Sequence, residues 1–383
     1  MSKNYRYNYN YKRKKGPNWT FEIIVAVLAV ILLCCAYAGI IDPTKFFPAP
    51  FMMLAFVPML VLMLLLLVGA MFWRRWIAVA VIVVAVLASM PVTRLFVPYT
   101  SSEMISPEPA DQSLILKVMT YNVLSFNYNE VKLNPQPSAS MKLILDANPD
   151  VVLLQEGTAG GVDWKDIPSL APFQAEVMAR YPYRYYGTEG LNIMSKYPFV
   201  THPVGEEQHA RSPLGFNRNQ ISYVARTYDL QLPSGKQLRL LNFRLQSYHL
   251  SFGKSMNVRV SPDVKPSALE RMRRSFALRG KDALTVRECI DNSPANLIVC
   301  GDMNDVTASH VYRVILGDDL NDVWNDVGNG YAYTYNRHNL YYRIDHILYR
   351  GDVRPFDAKR IKGGTSDHYP LMASFDIDIT DKH

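Results

Sequence analysis

The stretch "NLIVCGDMNDV", residues 296–306, combines the pattern of a buried strand with two polar side chains. Residues 297–300 are apolar and partly β-branched, which is typical of a strand buried on both faces. Gly301 ends this run, and Asp302 and Asn304 follow two positions apart. An Asx turn, in which both side chains satisfy local backbone donors, would explain the pair without a functional role. The rest of the chain decides between a turn and a site.

Four other strand-like runs also end in, or contain, side chains of functional type. These side chains are Asn122, Gln155 with Glu156, Asp345, and Asp367 with His368. Each one alone is more simply explained as a cap or a turn. Five such positions are harder to dismiss, because the ends of buried strands are where α/β proteins collect ligand and catalytic groups.

Strand-like runs recur at residues 114–123, 150–156, 191–200, 220–232, 236–246, 296–302, 342–350 and 369–379. Helical periodicity appears between some of them, and the best example begins at Ser267, which precedes Glu270 at the spacing of a capping box. Its apolar face would comprise Leu269, Met272, Phe276, Ala283, Val286 and Ile290. This mixture predicts an α/β domain with a large β core and outer helices.

The amino-terminal part of the chain contains three apolar stretches, at residues 21–41, 51–71 and 76–92. At ~1.5 Å per residue the first two can cross a ~30 Å hydrocarbon core, and the third can do so if its flank to residue 97 is included. We predict a basic cytoplasmic tail (1–20), three transmembrane helices within 21–97 (about 21–41, 51–71 and 76–97), a linker (98–113) and one domain (114–383).

Basic residues predict the orientation of these helices. Lys12, Arg13, Lys14 and Lys15 precede the first helix, and Arg74 and Arg75 lie between the second and the third. By the positive-inside bias, the amino terminus is cytoplasmic and the domain lies outside the cytoplasm. A secretory signal peptide cleaved near "AYA" (36–38) is the alternative, but the apolar run exceeds the ~7–15 residues of a signal-peptide core.

The net charge of +7 could suggest nucleic-acid binding, but the basic residues are unevenly distributed. Of the 41 Lys and Arg residues 10 precede residue 99, against 2 of the 34 Asp and Glu residues. The domain is therefore close to neutral, which argues against electrostatic capture of DNA. Cys289 and Cys300 could pair in an oxidising compartment, although two free thiols are favoured because free cysteine is commonly buried.

The oxygen-bearing side chains suit one class of metal. Glu156, Asp302 and Asp367 are hard oxygen ligands, Asn122 and Asn304 are neutral ones, and no Cys/His spacing suits zinc. This set favours Mg²⁺ or Mn²⁺. A hard divalent ion, a histidine and supporting amides together make a phosphoryl-transfer site.

Five ordered motifs resemble those of the endonuclease/exonuclease/phosphatase superfamily. They are "TYNV" (120–123), "LLQE" (153–156), "GDMN" (301–304), "RIDHIL" (343–348) and "TSDHYPL" (365–371). The resemblance covers roughly residues 115–378 and implies metal-dependent hydrolysis of phosphoester bonds. The expected fold class is α/β: a four-layer sandwich of two packed, mainly antiparallel sheets flanked by helices, preceded by the three transmembrane helices.

The resemblance also implies roles for the matching residues. Asn122 and Glu156 would help to hold the metal, with Asp367 near it. Asp302 would orient or deprotonate the attacking water, and Asn304 would contact the scissile phosphate and align Asp302.

His368 would pair with Asp345 and either polarise a phosphate oxygen or serve as acid and base. The chemistry agrees independently, because a carboxylate fixes the tautomer of an imidazole and raises its pKa. His346 follows Asp345 on a strand and should therefore face the opposite side, in the core or on an outer surface. The remaining histidines, such as His202, His209, His310 and His338, are expected at the surface.

One motif departs from the family pattern. Related membrane or secreted members read like "NTHLQS" where this chain reads "LNFRLQS", so that Arg244 replaces an expected histidine. His249 is a possible substitute, but strand alternation points it to the face opposite Arg244. Arg244 itself could bind phosphate in the site or turn aside to pair with a structural carboxylate.

The leading hypothesis is a membrane-anchored, outward-facing, metal-dependent phosphoesterase. Its partners would be the lipid bilayer and a phosphate ester, whether nucleic acid, phospholipid headgroup or small molecule, and no protein partner is predicted. The alternative is a catalytically degraded relative that acts as a membrane-bound binding or scaffold protein, and it is motivated by the change at Arg244.

Overall fold

The computed structural model describes residues 19–99, 113–127, 136–157, 166–187, 189–204, 224–233, 235–247, 267–337 and 341–378. The chain forms two compact units. The first draws on residues 1–35 and 55–90, and the second on residues 36–54 and 91–383. His209, His249 and His338, together with most of the predicted linker, lie outside the described residues.

Three apolar helices occupy the amino-terminal part: α1 (Thr20–Tyr37), α2 (Ala49–Phe72) and α3 (Trp76–Phe96). Each is long and apolar enough to cross a membrane. A 3-10 turn at Ala38–Ile40 continues the first helix, so this candidate membrane span runs from Thr20 to Ile40, close to the predicted 21–41. Within the first unit, Arg75 pairs with Glu22 at 3.1 Å.

Twelve strands among the described residues form two six-stranded sheets. The first sheet contains β1 (Ser113–Asn122), β2 (Val151–Gln155), β3 (Tyr183–Tyr185), β4 (Asn192–Ser195), β11 (Val353–Arg360) and β12 (Leu371–Asp378). Its strand order is β11-β12-β1-β2-β4-β3. The second has the order β5-β6-β7-β8-β10-β9 and contains β5 (Phe199–Val204), β6 (Ala225–Gln231), β7 (Gln237–Arg244), β8 (Leu297–Asp302), β9 (Asn321–Asp322) and β10 (Asp345–Arg350). Each sheet has one parallel pair, β1 with β2 and β7 with β8, and all its other pairs are antiparallel.

The two sheets pack face to face and carry helices on their outer faces. Apolar side chains of both sheets, such as Val118 and Cys300, form the central core. A second core lies between the first sheet and the helices α4 (Ala139–Ala147) and α5 (Gln174–Arg180), and a third lies between the second sheet and the helices α6 (Ala268–Asp291) and α7 (His310–Leu316). The short helix α8 (Val323–Val327) follows β9. The predicted four-layer sandwich is therefore confirmed.

Helix α6 begins as its sequence predicts, because the Ser267 hydroxyl accepts a hydrogen bond from the backbone N–H of Glu270 at 3.1 Å. Its predicted apolar face is right from Phe276 onward but wrong for Leu269, which is 53% exposed. Burial of this helix begins only at Ser275 and Phe276, beyond the first turn. The same buried face also carries Arg279.

The run at 191–200 was predicted as one strand and is two. Residues 192–195 form β4 in the first sheet, whereas residues 199–204 form β5 in the second. The chain crosses between the layers over Lys196–Pro198, where the Ser195 hydroxyl accepts a hydrogen bond from the backbone N–H of Tyr197. Cys289 and Cys300 are both free thiols.

Candidate active site

The carboxyl ends of the two parallel strand pairs carry most of the predicted site residues. In the strand registers Asn122 stands opposite Gln155, and Asp302 stands between Arg244 on one side and Asp345 on the other. Parallel neighbours end at the same edge of a sheet, so one end of the sandwich collects all these side chains.

Asp302 is held by amides from both sheets. Nδ2 of Asn122 donates to Oδ2 of Asp302 at 2.9 Å and to Oε1 of Glu156 at 3.0 Å. Asn304 contributes two further donors, its backbone N–H to Oδ1 of Asp302 at 2.8 Å and its Nδ2 to Oδ2 at 3.0 Å. Both oxygens of this fully buried carboxylate are therefore fixed in direction.

The turn after β8 depends on its glycine and on Asn304. A Cβ at Gly301 would overlap the carbonyl oxygen of Phe243, so only glycine allows β7 to pass this closely. Asn304 has a φ of 49°, in the left-handed region that asparagine tolerates better than most residues. Nδ2 of Asn304 also donates to the Leu245 carbonyl at 2.9 Å. Because Nδ2 is engaged in this way, the structure supports alignment of Asp302 as the role of Asn304 more directly than phosphate contact.

His368 and Asp345 form the pair that the sequence predicts. Nδ1 of His368 lies 2.8 Å from Oδ2 of Asp345. One carboxylate oxygen each of Asp302 and Asp345 and one ring nitrogen of His368 lie within 4.8 Å of one another. Burial alone would lower the pKa of His368, but the charges of Asp345 and Asp302 raise it to about 10. Burial raises the pKa of Asp302 to about 6, against the opposing charge of His368. Because Asp345 occupies Nδ1 of His368, this pair is arranged to fix the orientation of the imidazole and to hold a proton on it.

Arg244 faces the site and does not turn aside. Its Nη2 lies 2.7 Å from Oε1 of Glu156, and these two side chains are 32% and 23% exposed. Burial opposes ionisation of Glu156, but the charge of Arg244 and the hydrogen bond from Asn122 outweigh it and lower the pKa of Glu156. Glu156 also has a φ of 50°, a strained value for a glutamate. Such a backbone conformation persists only where the surrounding structure enforces it.

Asp367 precedes His368 in the loop before β12. Its Oδ2 lies 3.9 Å from Arg337, and its charge contributes to the raised pKa of His368. Tyr335 packs edge-on against the His368 ring, with centroids 5.5 Å apart. Neither Tyr335 nor Arg337 was predicted from the sequence, because the segment that carries them contains no regular helix or strand with a recognisable pattern.

Gln155 proves to be a structural residue. It is fully buried and donates through Nε2 to Oδ1 of Asn242 at 2.7 Å and to the Thr120 hydroxyl at 3.0 Å. Since Asn242 lies on β7, these amides join the two sheets beneath the site. Strand alternation could have predicted this, because it places Gln155 and Glu156 on opposite sides.

The other histidines are only partly as expected. His346 is buried in the core, and its Nδ1 lies 3.3 Å from Oδ2 of Asp322. His202 is exposed as predicted, beside Asp229. His310 was expected at the surface but is half-buried at the first position of α7, and burial lowers its pKa.

The donor set fits a hard divalent cation. Oδ1 of Asp345 and Oδ1 of Asp367 are both buried and have no hydrogen-bond partner among the described residues. Buried carboxylate oxygens are rarely left unpartnered, so these two atoms indicate a ligand. Carboxylates and amide oxygens are what Mg²⁺ and Mn²⁺ prefer.

Several solved structures resemble this chain, all at low sequence identity. Humanized D. rerio TDP2 is 20% identical, with 68% of this chain and 98% of that chain covered and a TM-score of 0.45. An endonuclease/exonuclease/phosphatase family protein from Bacteroides thetaiotaomicron is 16% identical, with coverages of 71% and 98% and a TM-score of 0.45. Sphingomyelinase C from Streptomyces griseocarneus is 19% identical, with coverages of 68% and 99% and a TM-score of 0.41.

Sequence comparison assigns the family. No curated protein matches this chain significantly. The profile of a domain of unknown function matches residues 18–95, the region of the apolar helices. The profile of the Endonuclease/Exonuclease/phosphatase family matches residues 119–368, which include all eight predicted site residues. The chain therefore belongs to the Endonuclease/Exonuclease/phosphatase family.

Proposed function

We propose that this chain is a membrane-anchored phosphoesterase that depends on Mg²⁺ or Mn²⁺. The observation that carries the proposal is the convergence of four side chains on Asp302, one from its own turn and three from other segments of the chain. Asn122 and Asn304 orient its carboxylate, and the Asp345–His368 pair lies beside it. Burying a carboxylate is costly, and this one is aligned by two amides and lies beside an Asp–His pair, a combination that favours catalysis over a binding or scaffold role.

Glu156, Asp367 and Asn122 are the residues that would hold the metal. Their donors are hard oxygens, and the Asn122 Oδ1 that accepts from the Leu124 backbone N–H retains a second lone pair. When bound, such an ion stabilises the negative charge of the phosphoryl group and helps to orient it.

Asp302 would take the proton of the attacking water. Its carboxylate is buried, is aligned by amide donors, and has a pKa raised by burial towards the neutral range, where a general base works best. Water oxygen would form the new bond to phosphorus while the bond to the leaving oxygen breaks. The leaving oxygen would depart as an anion and take a proton from solvent, while the proton lost by the attacking water would rest on Asp302. The products would be an alcohol and either a phosphate monoester or inorganic phosphate.

His368 and Arg244 would stabilise the charge that develops on the phosphoryl oxygens. Asp345 occupies Nδ1 of His368 and leaves Nε2 as the ring nitrogen that can donate to an oxygen of the substrate. Arg244 is a permanent cation with a planar fork of donors, which matches phosphate geometry but cannot shuttle a proton near neutral pH.

The membrane arrangement is part of the proposal. The three helices would span the bilayer with the amino terminus in the cytoplasm and the domain outside it, as the distribution of Lys and Arg favours. A tethered, nearly neutral domain fits a membrane-proximal phosphate ester better than captured DNA.

Hydrolysis of bis-p-nitrophenyl phosphate tests the activity. The full-length protein should release p-nitrophenol with Mg²⁺ or Mn²⁺ present, lose this activity in EDTA, and regain it when the metal is restored. No hydrolysis under any metal condition would instead favour the degraded-relative alternative. A panel of DNA, sphingomyelin and inositol phosphates would then identify the substrate class.

A further inference from the structure

The connection between α1 and α2 belongs to the same compact unit as the two sheets. Its 3-10 turn at Ala38–Ile40 contacts α7. Within that turn, Gly39 packs so closely against Ala308 that a Cβ would overlap the Ala308 carbonyl oxygen. At the far end of the connection, the Tyr342 hydroxyl donates to the Leu54 carbonyl at 2.9 Å. Residues 38–54 comprise the link between the two helices and the first turns of α2, and we call them the α1–α2 connection; they are therefore packed against the domain.

Aromatic contacts extend from this connection to α6. The ring of Phe51 meets that of Phe276 edge-on, with centroids 5.2 Å apart and planes at 78°. The Arg273 guanidinium lies 6.0 Å from the centroid of Phe47. On its other side, Phe276 lies beneath the guanidinium of Arg279 at 5.0 Å. Edge-on aromatic and cation–π contacts favour one relative placement of the groups that make them.

Arg279 continues the path to the site. It is fully buried, its Nη1 donates to the carbonyl oxygen of Asn304, and it lies 3.8 Å from Oδ2 of Asp305. Burying a guanidinium is costly unless it is paired, so the contacts with Asn304 and Asp305 tie Arg279 to this turn. The turn that it contacts is residues 302–309, which we call the catalytic turn.

We propose that the α1–α2 connection is a positioning element for the catalytic turn. It acts at two points: at Asn304 through Phe51, Phe276 and Arg279, and at Ala308 through Gly39. Both turn residues have left-handed backbone, with φ values of 49° and 66°, and such backbone persists only where the surroundings enforce it.

The consequence falls on Asp302. Asn304 donates to both oxygens of this carboxylate, so a shift of Asn304 turns the group that would take the water proton. This inference rests on the proposed function for its kinetic consequence, but the contact path itself can be tested without any activity.

Phe51→Ala in the full-length protein removes the first contact of the path. We expect kcat to fall about 10-fold with KM unchanged, since misplacement by ~1 Å can cost up to ~100-fold. Hydrogen–deuterium exchange should accelerate at the Asn304 amide, which donates to Asp302, and remain unchanged in β1 and β2. Phe51→Tyr keeps the ring and should restore both readouts. Phe46→Ala is the matched control, because Phe46 lies in the same connection but is 45% exposed.

Unchanged exchange in the catalytic turn of Phe51→Ala would overturn the inference, as would an unchanged kcat or an equal effect of Phe46→Ala. If Phe51→Ala does not fold, Phe51→Leu replaces it, because leucine keeps much of the apolar volume but lacks the aromatic ring. The same results would then support or overturn the inference. If the parent protein hydrolyses nothing, the proposed function fails, and the exchange comparison alone decides whether the connection holds the turn.

Discussion

The guanidinium of Arg244 lies 2.7 Å from the carboxylate of Glu156, so the residue that replaces the family's histidine contacts an expected metal ligand. The sequence left open whether this arginine would serve the site or pair with a structural carboxylate. It pairs with a carboxylate of the site itself. In the proposed site, a cation that is already aimed at the residues that would hold the metal would reach the phosphate of a substrate bound there.

Arg244→Ala should lower kcat/KM at saturating metal by roughly 10- to 150-fold, because it removes a charge-assisted hydrogen bond worth ~1.5–3 kcal/mol. Steady-state kinetics on several phosphodiesters measure this. Arg239→Ala is the matched control, since Arg239 lies on the same strand and pairs with Asp229 away from the site. Full activity in Arg244→Ala would show that this position does not serve catalysis.

Glu156→Gln should weaken metal binding by at least about 10-fold, because the amide keeps the size of the side chain but loses its charge. Electron paramagnetic resonance of Mn²⁺ titrated into the protein measures this without any substrate. Glu176→Gln, at a half-exposed surface ion pair with Arg180, should bind Mn²⁺ like the parent. Equal Mn²⁺ affinities in the parent and in both variants would show that Glu156 is not a metal ligand.

The buried carboxylate of Asp322 should govern acid stability. Arg343 contacts both of its oxygens at 2.8 Å, and His346 lies 3.3 Å away. Burial alone would raise the pKa of Asp322, but these two residues outweigh burial and hold it well below its usual range. A depressed pKa stabilises the fold above the unfolded-state value of about 3.9, and this stabilisation disappears as the pH falls below it.

Asp322→Asn should therefore cost roughly 3–5 kcal/mol near neutral pH, because it leaves Arg343 buried without its anion. The difference from the parent should shrink as the pH falls below about 4. Fluorescence of the neighbouring Trp324 during thermal unfolding follows both effects. Asp319→Asn, at a surface ion pair, should change stability by no more than about 1 kcal/mol. A pH-independent difference between Asp322→Asn and the parent would contradict this account.

The membrane orientation is tested by a reporter that is active only outside the cytoplasm. Fused after His383, it should be active, because the Lys and Arg distribution places this end outside. Fused after Arg75, between the second and third helices, it should be inactive. Activity of a cytoplasm-only reporter at His383 would reverse the proposed topology.

The sequence predicted the elements whose patterns are local. Strands such as β8 combine an apolar run with a polar end. For these strands, the sequence predicted both the strand and the candidate site residues that it carries. β11 was missed because Pro355 and several charged side chains obscure its alternation, a composition that suits an edge strand with a bulge between Pro355 and Asp357. β9 is only two residues long and leaves no pattern at all.

Long-range contacts account for the buried charged residues that the sequence did not predict. Arg279 lies on the buried face of α6, although an arginine in a sequence usually indicates a solvent-exposed position, and its contacts with Asn304 and Asp305 account for its burial. Arg343 and Asp322 are 21 residues apart in sequence, and each can be buried because the other neutralises its charge. Pairing of this kind is a property of the folded chain and not of any window of sequence.

Asp302→Asn tests the central claim most directly, because it changes one oxygen of the residue on which the site converges. The account predicts that kcat on bis-p-nitrophenyl phosphate falls roughly 10²- to 10⁴-fold at saturating metal, the usual contribution of a general base, with an unchanged circular dichroism spectrum. Asp322→Asn, at a buried aspartate outside the site, should keep its kcat when all three proteins are assayed below their unfolding transitions. An Asp302→Asn protein that turns over as fast as the parent would contradict the claim that Asp302 activates the attacking water.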